Sequence, residues 1–409
     1  MNRSLILLLF PILFANCSDN SEPEVPDPAA TITEITESSI LFGLNAIKTL
    51  SEDPELQNVN LVISPLSIEA ALYMTLNGAE GNTESQMANA LEFGNIVPNG
   101  HNQPFEELVQ KLTEENETST LKIANTVFYD GTGLNPNETF KNLLEIHYNA
   151  DFTNADFRKA STVNFINDWV KAHTAGKIEK VIENIDSDEF MFLINTLYFK
   201  GDWAIGFLEN QTSERDFKLS SGNIVKVDMM SSDDYRPVYL GTDYTAVDLP
   251  LKDSLFSMTF IQSNDPNEPS DFLNQFDLTE LSNFYHNLYD EKLETQRVFL
   301  LIPKFETGSK LKLKDMLKKL GMVDAFNELT ADFSDLGTGG GNLFLSRVLH
   351  DTYLKVDEKG IEGAAVTTVG VAVTSAPPTI SFNRPFLFVL RHIETNAIIF
   401  IGYIEDPRE

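Results

Sequence analysis

The chain has 409 residues, 42% hydrophobic and 22% charged, enough to bury one large core or two ordinary ones. Its 61 acidic against 30 basic residues leave a formal net charge of −31, which excludes the clustered Lys and Arg that nucleic acid or sulfated glycans require. A soluble, self-repelling surface is sufficient explanation for the acidity.

At the N-terminus, Arg3 precedes an apolar run from Leu5 to Phe10 that continues through Ile12, Leu13 and Phe14. A basic start and a short apolar core predict a signal peptide, too short for an ordinary membrane span. Leu13-Phe14-Ala15-Asn16-Cys17 resembles a bacterial lipoprotein signal, which predicts cleavage before Cys17, its lipidation, and export to an outer membrane or cell surface. Phe14 and Asn16 depart from the tightest form of that pattern, so a plain secretory signal is the alternative. Cys17 is the one cysteine of the chain, so an exported product must be stable through packing and not disulfides. Residues 18–30 are acidic and carry Pro23, Pro26 and Pro28, a flexible tether. Residues 31–409 show no further linker and read as a single domain.

Within that domain, Phe105, Leu108, Val109 and Leu112 recur at helical spacing, as do Leu313, Met316, Leu317 and Leu320 before Gly321. Strand-like runs span Leu121 to Tyr129, Phe192 to Phe199, Val298 to Ile302, Phe386 to Leu390 and Ala397 to Tyr403. Helices and strands intermix without regular alternation, which predicts α+β and not a doubly wound sheet. Gly337-Thr338-Gly339-Gly340-Gly341-Asn342 lacks the Lys-Ser/Thr of a phosphate loop and reads as a flexible surface loop.

No catalytic constellation emerges. The six histidines include no His-Glu-x-x-His pair, and no Gly-x-Ser-x-Gly elbow is present. Neither an enzyme nor a metal or cofactor protein is indicated.

The unusual segment lies near the C-terminus. From Gly363 to Asn383 there is no Asp, Glu, Lys or Arg, a gap that random placement at this charge density would give about once in two hundred. Gly363 to Thr374 is small and β-branched, suited to a strand yet without an apolar face to hold it in one place.

Here the chain resembles the serpin family. Val356-Asp357-Glu358-Lys359-Gly360-Ile361-Glu362-Gly363-Ala364-Ala365-Val366-Thr367 is similar to the hinge preceding a serpin reactive-centre loop, and Phe382-Asn383-Arg384-Pro385-Phe386 to the strand entry that closes it. Further matches run in order: Asn60 to Ile68, Gly78 to Thr83, Asn195 to Trp203, Leu301 to Glu306, Ala331 to Ser334, and Phe400 to Tyr403. The resemblance covers nearly all of residues 31–409.

It implies an α+β serpin fold of three β-sheets, about eight to nine helices and an exposed loop over about residues 358–382. Counting fourteen residues from Gly360, or back twelve from Phe386, places the scissile bond at Thr374-Ser375; cleavage after Val373 is the alternative. A target protease would acylate on Thr374, and the cleaved loop would enter the main sheet as an added strand, a behaviour for which serpins are a standing example. Hinge residues are then Glu358, Gly360, Ile361, Gly363, Ala365 and Thr367; Ser64, Ser67, Asn195 and His350 match the polar cluster under the insertion path, and Trp203 the sheet top.

In a strand, alternate residues share a face, so Ile361, Gly363, Ala365, Thr367 and Val369 would point inward. None is charged or aromatic, and Glu362 would fall on the opposite face with its charge solvated. Ile361 replaces the small hydroxyl residue usual there, and Gly363 replaces Ala, so a non-inhibitory member with a binding or chaperone role is the alternative reading. Thr374 and Val373 fit a small apolar primary pocket, elastase-like or subtilisin-like, and not the trypsin-like pocket that takes Arg or Lys. Cysteine proteases are a further class of partner. The acidic helix near Lys111 predicts no heparin site, and a monomer is expected.

Overall fold

The computed structural model describes residues 28–94, 99–114, 116–265, 295–339, 341–362 and 377–409. The first half of the chain carries α1 (Pro28–Ser51), β1 (Leu61–Ile63), α2 (Pro65–Leu76), α3 (Gly81–Ala90), α4 (Asn102–Leu112) and β2 (Ser119–Tyr129). There follow β3 (Leu134–Pro136), α5 (Glu138–Tyr148), β4 (Asp151–Asn154), α6 (Ala160–His173) and β5 (Met191–Asp202). The next stretch is all β: β6 (Ser213–Lys218), β7 (Ile224–Arg236), β8 (Val238–Leu240), β9 (Tyr244–Pro250) and β10 (Phe256–Ser263). Then come β11 (Gln296–Pro303), β12 (Phe305–Thr307), β13 (Lys310–Lys312), α7 (Lys314–Lys319) and β14 (Gly337–Gly339). The chain ends with β15 (Leu349–Asp351), β16 (Leu354–Val356), β17 (Gly360–Ile361), β18 (Thr379–Ser381), β19 (Phe386–His392) and β20 (Ile398–Ile404).

Three larger sheets result, ordered β12-β16-β17-β5-β2-β4, β1-β20-β19-β10-β9-β8 and β18-β11-β7-β6. This is the α+β plan expected, with seven α-helices among the described residues. The helical spacing at Phe105 and at Leu313 lies in or beside α4 and α7, and all five strand-like runs lie in β2, β5, β11, β19 and β20. The helix α1 starts at Pro28, inside the segment read as tether; proline suits the first helical turn, whose N–H groups have no intrahelical acceptor.

The Gly337–Asn342 stretch differs from its reading as a loop. Residues 337–339 form β14 and pair with β3. A Cβ at Gly337 would press on the Asn135 carbonyl oxygen at 2.6 Å, so glycine here serves a close strand approach.

The second sheet is the dry centre. Every residue of β19 and β20 is buried, so both strands read as unbroken apolar runs and not as alternation. Helix α2 packs between β20 and β5 and is buried at eleven of its twelve positions. Ser64 caps it, accepting from the Ser67 N–H at 3.2 Å, with Pro65 in the first turn.

This buried helix carries Glu69, 1% exposed, whose Oε2 accepts from Ser39 Oγ at 2.5 Å. Burial pushes its carboxyl up to about 8 against the opposing Ser39 and Tyr73 hydrogen bonds, so it is neutral in the fold at pH 7. A folded pKa raised above the unfolded value near 4.5 means stability present below 4.5 and lost as pH rises towards 8. Glu69→Gln should abolish that loss. Thermal melts at pH 5 and pH 8 should show the variant gaining on wild type by a few kcal/mol, on the order of 3. Identical pH profiles would mean Glu69 is ionised in the fold.

Candidate functional site

Strands β5 and β16 run parallel, and the short β17 lies antiparallel between them at one end: Gly360 pairs with Asp202, and Ile361 with Gly201 and Val356. Below that point the far edge of β5 is paired throughout with β2. Its near edge, from Met191 to Lys200, pairs with no strand among the described residues. Side chains of 191–198 other than Thr196 and those of 343–349 are only partly buried. Between these two flanks lies a cavity of about 280 Å³, lined by Asp188 to Leu197 on one side and Gly341 to Thr352 on the other. A smaller space continues it upward along Leu197–Phe199 and Tyr353–Lys355 to Ile361. The site is a slot along the unpaired edge of β5.

The hinge at its mouth is held on all sides. Trp203, fully buried, donates from its indole Nε1 to the Asp357 carbonyl at 2.9 Å, and its backbone N–H donates to the Lys359 carbonyl. The Phe207 N–H donates to the Glu358 carbonyl at 2.8 Å. Glu358 itself accepts from Thr212 Oγ1 at 2.7 Å and pairs with Lys304 at 3.2 Å. Burial would raise its carboxyl, but these partners hold it below the usual range and charged. Gly360 sits at φ +157, and a Cβ there would collide with the Gly201 carbonyl oxygen, so only glycine lets β17 come this close to β5. Ile361 is fully buried beside Leu354 and Phe199, so the first inward position is already filled.

In the hinge as described, Glu362 is shielded, with its side chain 10% exposed and its Oε1 2.7 Å from Lys177 Nζ; the solvated placement expected for it belongs to an inserted strand. Strand alternation fails at this residue because it turns left-handed, φ +54.

Midway along the slot lies the polar cluster. Ser67 Oγ donates to Asn195 Oδ1 at 2.5 Å, and the Ser64 N–H donates to His350 Nε2 at 3.0 Å. Ser64 and Ser67 are joined through the α2 cap, so all four residues form one connected set. Asn125 extends it, accepting from Asn195 Nδ2 at 2.8 Å and donating to the Tyr148 carbonyl at 2.8 Å. Asn125, Thr212, Lys304 and Lys177 were not singled out from the sequence. For Asn125 a signal existed: an Asn in the middle of a β-branched strand run is disfavoured and needs a reason. Gly363, Ala365, Thr367, Thr374, Ser375 and Cys17 lie outside the described residues.

Comparison with known proteins agrees with this geometry. Residues 37–407 match the family model described as Serpin (serine protease inhibitor). The leukocyte elastase inhibitor of Xenopus laevis is 34% identical over 357 residues, covering 85% of this chain and 93% of that protein. Among solved structures, the thermophilic serpin tengpin in its native state superposes with a TM-score of 0.81 at 31% identity, covering 91% of this chain and 94% of that one. Tengpin in its latent state matches less well, with a TM-score of 0.76 at 29% identity and coverage of 93% and 98%.

Burial lowers the His350 imidazole to about 3, which keeps it neutral and able to accept from Ser64. A depressed histidine pKa gives stability present above the unfolded value of 6.5 and lost as pH falls through that window towards 3. His350→Gln keeps an acceptor without the titration. Between pH 6.5 and 4 its stability should fall less steeply than that of wild type, by up to about 1.4 kcal/mol per pH unit. Chemical denaturation across that range measures the difference. Parallel slopes would show that His350 titrates normally in the fold.

Proposed function

The chain belongs to the serpin family, and from that premise we propose that it is a suicide inhibitor of serine proteases that traps the acyl-enzyme by inserting its cleaved loop into the slot. The observation that carries this reading is register. Continued downward from the paired hinge residues, an inserted strand would set Gly363 between Phe199 and Leu354, Ala365 between Leu197 and Thr352, and Thr367 between Asn195 and His350. The same count would bring Thr374 level with Asp188 and Leu343, near the lower end of the cavity, whose lining runs to Asp188 and Gly341.

In the proposed sequence, the protease serine Oγ attacks the Thr374 carbonyl carbon. The peptide bond breaks, the Ser375 amine leaves with a proton, and Thr374 remains as an ester on the enzyme. Freed at one end, the loop can zip between β5 and β16. An antiparallel strand there makes on the order of ten ladder hydrogen bonds at about 1 kcal/mol each. That total rivals the whole stability of an ordinary domain, enough to carry the tethered protease along the sheet by about 40 Å. The inward set is small and uncharged, and Thr367 would bring a hydroxyl to the one polar stretch of the path.

Target choice follows from Val373 and Thr374, which suit the small apolar primary pocket of elastase-like and subtilisin-like proteases; one relative is named an elastase inhibitor. For the ends of the chain, the pattern of residues 1–17 supports export with lipidation at Cys17. Mass spectrometry of the mature N-terminus should find a diacylglyceryl-modified Cys17, and an unmodified residue at a secretory cut would replace anchoring with secretion.

The direct test is incubation with pancreatic elastase and with subtilisin, followed by denaturing electrophoresis. A covalent band of combined mass is expected, with the released C-terminal peptide beginning at Ser375. Thr367→Arg should convert the protein from inhibitor to substrate, because an unpaired charge beside Asn195 and His350 costs several kcal/mol. Thr367 is the better probe than Ile361, which is already buried before cleavage and whose loss would disturb the uncleaved form. Clean cleavage of wild type with the protease left active would favour a non-inhibitory binding or chaperone role.

A further inference from the structure

The kink at Glu362 needs a cause. A left-handed conformation costs a residue with a Cβ about 1 kcal/mol or more, and glutamate lacks the short local hydrogen bonds that excuse asparagine. What holds it is the Tyr198 phenol of β5 and Lys177, on the segment that leaves α6 for β5. Its Nζ is 2.7 Å from Glu362 Oε1, 4.5 Å from the Tyr353 ring centroid and 3.3 Å from Tyr353 Oη. Tyr353 in turn donates to Glu306 at 2.9 Å. One ammonium thus ties the α6 side of the sheet, the β16 flank of the slot and the hinge together at the slot mouth.

The alternative placement of Glu362 is readable from the same register. With Ile361 opposite Gly201 and Val356, an extended Glu362 would lie between Lys200 and Lys355, whose side chains share its face. The carboxylate therefore has one cationic partner in the kinked hinge and two others in a continued strand. Passing between them requires that it leave the Lys177–Tyr353 arrangement.

We propose that Lys177 is a positioning residue that clamps Glu362 in the kinked conformation and so delays loop entry until the loop is cut. This rests on the loop-insertion reading above, and it adds a residue and a two-station path for one charge. The clamp joins residues far apart in sequence and is partly shielded from solvent, with side chains 34% and 10% exposed.

The test uses the full chain and three variants: Lys177→Gln, Lys177→Arg, and the reversed pair Lys177→Glu with Glu362→Lys. Hydrogen exchange of the peptide covering residues 354–362, read by mass spectrometry, reports the hinge whether or not the protein traps a protease. Lys177→Gln should raise hinge exchange roughly three- to tenfold, Lys177→Arg should stay near wild type, and the reversed pair should recover most of the protection. The reversed pair should nevertheless trap elastase more slowly than wild type, because a lysine at 362 would meet Lys200 and Lys355 on entry. Unchanged exchange in Lys177→Gln, or a reversed pair that behaves like Lys177→Gln, overturns the clamp. Absence of any covalent complex in wild type overturns the insertion reading instead, and the exchange data still decide whether Lys177 holds the hinge.

Discussion

The near edge of β5 carries a row of backbone N–H and C=O groups, from Met191 to Lys200, with no ladder partner among the described residues. Buried or half-buried backbone groups seek hydrogen bonds, and an open sheet edge is a template for any strand that can reach it. Ordinary proteins cover such an edge. Here β5 runs along a cavity whose far wall, residues 341–352, leads into β16, which is parallel to β5, and parallel flanks are a geometry in which an antiparallel strand can make ladder bonds on both sides.

At the mouth of the gap, the Trp203 indole, the Glu358–Lys304–Thr212 set and the Gly360 approach to Gly201 hold Gly360 and Ile361 in register with β5. Lower down, the Ser64–Ser67–Asn195–His350 cluster and Asn125 satisfy their own hydrogen bonds across α2, β5 and β2. On the proposed insertion, a strand passing there would have to offer a compatible group, which the Thr367 hydroxyl would supply.

Much of this was visible in the linear chain, and for physical reasons. Gly360 is legible because a close backbone approach forbids a Cβ. The apolar period of α4 appeared where expected because one face of that helix is buried, and the unbroken runs of β19 and β20 because both of their faces are. The kink at Glu362 was not legible, because face alternation assumes an extended backbone and this residue is left-handed in the hinge. The Gly337–Gly339 strand was misread because glycine marks both loops and close strand packing.

The sequence by itself determined the fold class and the close backbone approach at Gly360, since the first depends on how apolar periods are intermixed and the second on a residue without a Cβ. Tertiary structure alone decided that the near edge of β5 is unpaired among the described residues and that Lys177 reaches Glu362. Those facts depend on how β5 and β16 are offset and spaced, and no local pattern encodes the distance between two strands that do not touch.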